Sequence, residues 1–330
     1  MTIVDRDLMS QQDCATEPAT LADYIYPAIQ KQYVRILTLE ADVLKDDDRE
    51  AVHQMRVSLR RLRSQVQAFG AILDIPKVMG APQIGKIARV LGKVRDLDVL
   101  HQTCKQHLKS LPESEQIQLE KVDSTIAKRR RKEITKVKLM LNECDYQYFK
   151  LGINNWLNSP QYLPTGRVAI ESILPELLLS VVSNLLLNPG WWIDPDLESG
   201  GDSELAIAQV LLVHGDTFHY LRKQIKATRY LMELFPDRYP ARYNDFLQDF
   251  KQIHQLFGDV QDNRVFDKFI RKSLGKRAPT KLPTIYDRIA RSNYLNWDNW
   301  QPIQQKYRDS NTKQELLSLL IRDIIHNLHG

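Results

Sequence analysis

Apolar residues recur along most of this chain at alternating spacings of three and four, the period of a helix that buries one face. The clearest run is Val52, Met55, Leu59, Leu62, Val66 and Phe69. A second is Phe218, Leu221, Ile225, Thr228, Met232 and Phe235, in which Thr228 alone departs from apolar character. Residues 21–44 are amphipathic in the same way. The cluster Asp46-Asp47-Asp48 stands just before the first run, where negative charge suits a helix N-terminus. Pro76, Gly80 and Pro82 end that helix and open another that carries Ile84, Ile87, Leu91 and Val94. Further helices are predicted over residues 112–141, 169–187 and 313–329, with Pro279, Pro283 and Pro302 punctuating the segment before the last. No stretch alternates with a period of two. The pattern predicts an all-α fold.

The two clearest runs are related. His53, Arg56, Arg60 and Arg63 follow the first, and His219, Arg222, Lys226 and Arg229 the second, each position displaced by the same offset of 166 (His53 to His219). That offset also carries Leu91-Gly92 onto Phe257-Gly258, Val94 onto Val260, Asp96 onto Asp262 and Val99 onto Val265. One offset maintained over so long a stretch reads as an internal duplication. The expected architecture is two bundles of roughly four helices in a pseudo-twofold arrangement. The halves are residues 21–160 and 161–330, preceded by a disordered polar tail at 1–20. Polar and turn-forming residues at 158–166 mark the boundary. The irregular stretch at 188–203, which contains Trp191-Trp192, reads as an insert. Core packing and partner docking are both open to those tryptophans.

Composition narrows the classes. With 43% hydrophobic and 26% charged residues over 330 positions, the chain is globular and long enough for a substantial core. Thirteen glycines are few, which disfavours turn-rich β architectures and a glycine-rich phosphate loop. Three cysteines, Cys14, Cys104 and Cys144, have no metal-ligand spacing and define no disulfide framework. A reducing cytoplasm is the expected compartment. The first residues lack the form of a signal peptide, and no apolar stretch is long enough to span a membrane.

The net charge of +5 is mild, so clustering matters more than the total. At about 100° per residue, positions 0, +3, +7 and +10 fall within an arc of roughly 80°. His53, Arg56, Arg60 and Arg63 therefore form one stripe, and it lies beside the apolar seam rather than opposite it. Such a row of cations repels itself unless an anion lies along it. Lys86, Arg89, Lys93 and Arg95 on the next helix are further candidates, although an ordinary solvated face explains the first three better, since their counterparts Gln252, Gln255 and Asp259 do not keep the charge. Arg95 has Asp98 three residues on as a candidate ion-pair partner. Lys223 joins the second stripe. An outer anion track is expected from Arg61, Lys128, Arg131, Lys132 and Lys251. Asp96 and Asp262 suit the positioning of a neighbouring arginine better than catalysis. No metal-ligating or cofactor-binding constellation is present.

The motifs H-x-x-R-x-x-x-R-R-x-R at His53–Arg63 and LGKVRDLDV at Leu91–Val99, with HYLRKQIKATRYLMELF at His219–Phe235 and FGDVQDN at Phe257–Asn263, resemble the CHAD family, the conserved histidine α-helical domain. The resemblance covers about residues 20–325. It implies an all-α, twofold-like domain that binds inorganic polyphosphate in a basic groove or channel. Carried over by position, the implied contacts are His53, Arg56, Arg60, Arg63, Arg95, His219, Arg222, Lys226 and Arg229. Gln261 stands where Arg95 has its copy, and Ala227 where Arg61 has its own. Members of this family are often joined to a triphosphatase of the tunnel type. This chain carries no E-x-E-x-K signature, so a polyphosphate-metabolising enzyme is expected only as a separate partner.

The expected function is non-catalytic polyphosphate binding in the cytoplasm, with polyphosphate granules as a site of accumulation and no cofactor. Two rivals remain. One is a metal-dependent phosphohydrolase or phosphotransferase using His53 or His219 with Asp96 and Asp262. The other is a nucleic-acid binder relying on residues 128–132, disfavoured because Tyr220 and Tyr230 are the only aromatic residues near the stripes.

Overall fold

Helical periodicity becomes helix where a polar cap and an apolar face coincide, and the first two helices show both. The computed structural model describes residues 20–194 and 204–326, with side-chain surroundings to 321. Apart from Thr20, the tail expected at 1–20 lies outside the described residues, as does most of the predicted insert. Helix α1 (Leu21–Lys45) opens with a capping box, the Thr20 hydroxyl donating to Asp23 Oδ2 at 2.8 Å. It ends at Asp46, held in the left-handed region at φ 63°. Helix α2 (Arg49–Ala68) is capped by Asp48, whose carboxylate accepts the Glu50 N–H at 2.8 Å.

Helices α3 (Ala81–Leu108), α4 (Glu113–Asn142) and α5 (Cys144–Asn158) follow. The sequence reading passes over α5, although Tyr146, Phe149, Ile153 and Trp156 recur at helical spacing and are all buried. Helix α6 (Leu174–Leu186) starts later than the expected 169, because the chain first forms a short 3-10 turn at Ile170–Ser172 and Pro175 sits in the opening turn. Then come α7 (Glu204–Met232), α8 (Ala241–Leu274), the short α9 (Ala278–Lys281), α10 (Pro283–Arg308) and α11 (Ser310–His326). Pro302 does not break α10 as expected. It lies inside the helix, as Pro27 lies inside α1, since the apolar face through Trp297, Trp300, Ile303 and Tyr307 stays buried across it. Among the described residues there is no strand, only the isolated bridges Thr20–Ala169 and Leu73–Tyr162.

Both sequence runs face the core: Val52 to Phe69 on and just after α2, and Phe218 to Phe235 on and just after α7, are buried throughout, Thr228 included. The main apolar cluster draws on both halves of the chain, because α2 packs directly against α7. A second cluster ties Leu97, Leu100, Leu119 and Ile126 of α3 and α4 to Phe266, Ile270 and Ile285 of α8 and α10. Trp191 is a core residue, stacked on Tyr307 and tilted against Trp300, with its Nε1–H donating to Leu185 O at 2.8 Å. Trp192 is exposed beside Arg308 and Lys313.

Candidate functional site

The contact between α2 and α7 brings the two cationic rows together. Arg60 on α2 lies within electrostatic reach of Arg222 and Arg229 on α7, Arg222 within reach of Arg56, and Lys226 within reach of Arg56 and Arg60. Each of these five cations sits beside a core position and is partly buried. Burial, then the neighbouring guanidiniums, pull the Lys226 ammonium down to about 7. Arg56, Arg60 and Arg222 are lowered from the ordinary arginine value, burial again being the largest cause.

Four carboxylates lie near these five cations, and none accepts a hydrogen bond from them among the described residues. Asp96 stands 3.8 Å from Arg56 with its own side chain 63% exposed, and Asp262 and Asp259 are the acidic neighbours of Arg222. Glu233 lies 3.5 Å from Arg229. The Nε atoms of Arg222 and Arg229 are buried without a hydrogen-bond partner. The Nδ1 atoms of His53 and His219 are orphaned in the same manner. Both imidazoles are held below the ordinary histidine value, by burial and Arg95 for His53, and by burial and Lys223 for His219.

The arginines approach the facing helices closely at glycines. A Cβ on Gly92 of α3 would come within 3.3 Å of Arg56 Nε, and one on Gly258 of α8 within 3.3 Å of Arg222 Nη2. Gly92 and Gly258, which the sequence offset of 166 relates, thus each leave a notch for a guanidinium.

Two residues at this centre escaped the sequence reading. His254 of α8 is surrounded by Arg222, Arg229, Lys226 and Arg60; burial first, and those charges next, push it down to about 3, and its Nε2 is buried without a partner. Tyr230 lies within reach of Arg56, Arg60 and Arg222, with Arg229 Cζ 5.0 Å from its ring centroid. It was noted only as a nearby aromatic.

The remaining candidates are more dispersed. Arg63, Lys86, Arg89 and Lys93 are exposed; Arg63 lies against Gly85, and Arg89 donates to the carbonyl of Gly85 at 3.1 Å. Lys223 is exposed beside His219, and Lys251 is exposed on α8. The run at 128–132 divides. Arg129 and Lys132 line a cleft with Lys93 and Asp96, while Lys128 and Arg131 face solvent. Arg130 is not part of any patch. It is buried, donating to both Asp46 oxygens at 2.7 Å and to Asp98 Oδ1 at 2.6 Å. Asp98 therefore pairs with Arg130, and more distantly with Arg49 at 3.6 Å, rather than with Arg95 as the sequence suggested. Arg95 stays with His53 and the Asp96 side of the cluster.

Among the described residues no group of three or more His, Cys, Asp and Glu side chains is placed to hold a metal ion. No described helix is long and apolar enough to cross a membrane.

Fold and site together define an all-α domain with a central cluster of cations shared by two helices. The CHAD domain family matches residues 27–271, and the chain belongs to that family; polyphosphate binding is consistent with this membership. Among solved structures, the CHAD domain from the plant Ricinus communis superposes with a TM-score of 0.60 at 17% identity, over 92% of this chain and 93% of that one. PptA from Streptomyces chartreusis gives a TM-score of 0.60 at 12% identity, over 87% of this chain and all of its own. No curated protein matches the chain.

Proposed function

We propose that this chain binds inorganic polyphosphate without turning it over, the polymer lying along the cations that α2 and α7 share. The observation that carries this reading is the convergence of Arg56, Arg60, Arg222, Lys226 and Arg229, none of them hydrogen-bonded to the four carboxylates nearby and two with an unpartnered Nε. Like charges brought together in a partly buried site favour an anion with closely repeated charge. Arginine forks suit paired hydrogen bonds to phosphate oxygens, and Lys226 acts as a point charge. His53 and His219, neutral in the free protein near pH 7, offer ring N–H groups to the same oxygens. In this reading each half of a duplicated unit contributes one row. Arg63, Arg95, Lys86, Arg89, Lys93 and Lys223 extend the groove, and Arg61, Lys128, Arg131, Lys132 and Lys251 form an outer track.

The test is a titration with polyphosphate of defined length at two salt concentrations, without added metal. The logarithm of affinity falls linearly with the logarithm of salt as counterions are displaced. The pair Arg56→Ala and Arg222→Ala weakens binding at least about a hundredfold, which corresponds to about 2.7 kcal/mol, with the helical circular dichroism unchanged. Wild-type affinity in that folded double variant would reject the assignment.

A further inference from the structure

Tyr230 also borders a second space. Between α1, α2 and the end of α7 lies a cavity of about 550 Å³, within the range that small-molecule sites occupy. The Tyr230 ring has Arg61 Cζ 5.7 Å from its centroid on this cavity's rim, as it has Arg229 towards the basic cluster. The floor of the cavity includes Gln65, only 7% exposed, whose Oε1 is buried and accepts no hydrogen bond. Gln32, 6% exposed, lines the same floor. Buried side-chain amides are seldom left unpaired, because the lost hydration is not recovered. The exposed lip carries two cations, Lys31 and Arg61, and two carboxylates, Glu233 and Asp237.

We infer that this cavity binds a mononucleotide. A base presents donors and acceptors along one edge, which is what a pair of buried amides recognises. Arg61 and Lys31 then hold the phosphate, and the carboxylates at the lip accept the ribose hydroxyls. Other small ligands match less of the site. Inorganic phosphate leaves the amides unanswered, and a polyamine leaves Lys31 and Arg61 without a counter-charge. Arg61 is shared with the outer track of the proposed function, so the test is read at Gln65 and Gln32, which lie off that track, and is distinguishable from failure of the polyphosphate reading.

Wild-type protein is titrated calorimetrically with AMP, GMP, CMP, UMP and inorganic phosphate, and in parallel with polyphosphate. At least one nucleotide is expected to bind with one-to-one stoichiometry and at least tenfold more tightly than phosphate. Gln65→Leu should weaken that nucleotide at least tenfold while leaving polyphosphate affinity unchanged. Gln32→Leu gives the same reading should Gln65→Leu fail to fold. The double variant Arg56→Ala, Arg222→Ala should keep its nucleotide affinity. The inference is overturned when no nucleotide binds better than phosphate, when both folded glutamine variants bind it as wild type does, or when the double arginine variant loses it.

Discussion

A single methyl group is the finest probe of how the guanidiniums are held. Gly258 leaves 3.3 Å between an added Cβ and Arg222 Nη2, closer than ordinary van der Waals contact. The atom in the way is the end of a flexible side chain, so the helix itself tolerates alanine while the guanidinium must move. Gly258→Ala should therefore reduce polyphosphate affinity about tenfold, equivalent to about 1.4 kcal/mol, with little change in melting temperature. Gly92→Ala should do the same through Arg56, whose Nε stands 3.3 Å from the added atom. A matched titration and melting curve separate this from a packing defect, which would lower both. Lys226 is the other sensitive residue at this scale. Its free-state value of about 7 lies amid Arg60, Arg222, Arg56 and Lys223, with neutral His254 alongside. A bound polyanion favours the charged form and raises that value. Affinity should thus be level below about pH 7 and fall as pH rises above it. Lys226→Arg keeps its charge throughout and should bind at pH 8.5 almost as tightly as at pH 6.5, read by titration at the two values.

At the scale of helices, the fate of the basic run on α4 separates what spacing encodes from what packing decides. Arg130 lies among four other cations in sequence, yet it is the one carried inward, where Asp46 and Asp98 hold it. Asp46 is available because α1 ends there in a left-handed turn, and Asp98 because α3 crosses α4. Arg130→Ala would leave Asp98, 3% exposed, without its hydrogen-bonded partner and with only the more distant Arg49, 3.6 Å away, as a counter-charge. The expected loss is about 3–5 kcal/mol of stability, measured by denaturant unfolding, without direct loss of a groove cation. The stripes on α2 and α7 were legible because the helical period alone puts their residues on one face. The Arg130 network was not, since its two partners come from the end of α1 and from α3, far from it in sequence. His254 was hidden for a related reason. The offset of 166 relates it to Ala88, so that sequence pattern gives no signal, while the conspicuous Lys86, Arg89 and Lys93 nearby are exposed. Proline was over-read as well: Pro302 ends nothing, because the tertiary burial of Trp300 and Tyr307 outweighs one missing hydrogen bond.

For the whole molecule, the basic cluster sets stability and binding against each other. Folding presses Lys226 into a site where its charge is disfavoured, so its folded value of about 7 lies well below the usual lysine value of 10.5. Between those limits the unfolded chain binds the extra proton, and stability rises with pH. Affinity for a polyanion runs the other way over the same window, since binding must restore that proton. The free protein should accordingly melt at a higher temperature at pH 9 than at pH 7, after subtracting the same difference in Lys226→Met, which lacks the titrating group. Saturating polyphosphate should cancel or invert this slope, because ligand that binds only the folded state stabilises it by an amount that grows with the logarithm of its affinity. Proton uptake follows from the same coupling and is measurable as a calorimetric heat that changes with the ionisation enthalpy of the buffer. If wild type and Lys226→Met show equal pH slopes both free and bound, Lys226 is not titrating within the cluster. The repulsion within the cluster would then have to be relieved by other means, the carboxylates of Glu233, Asp96, Asp259 and Asp262 being at hand.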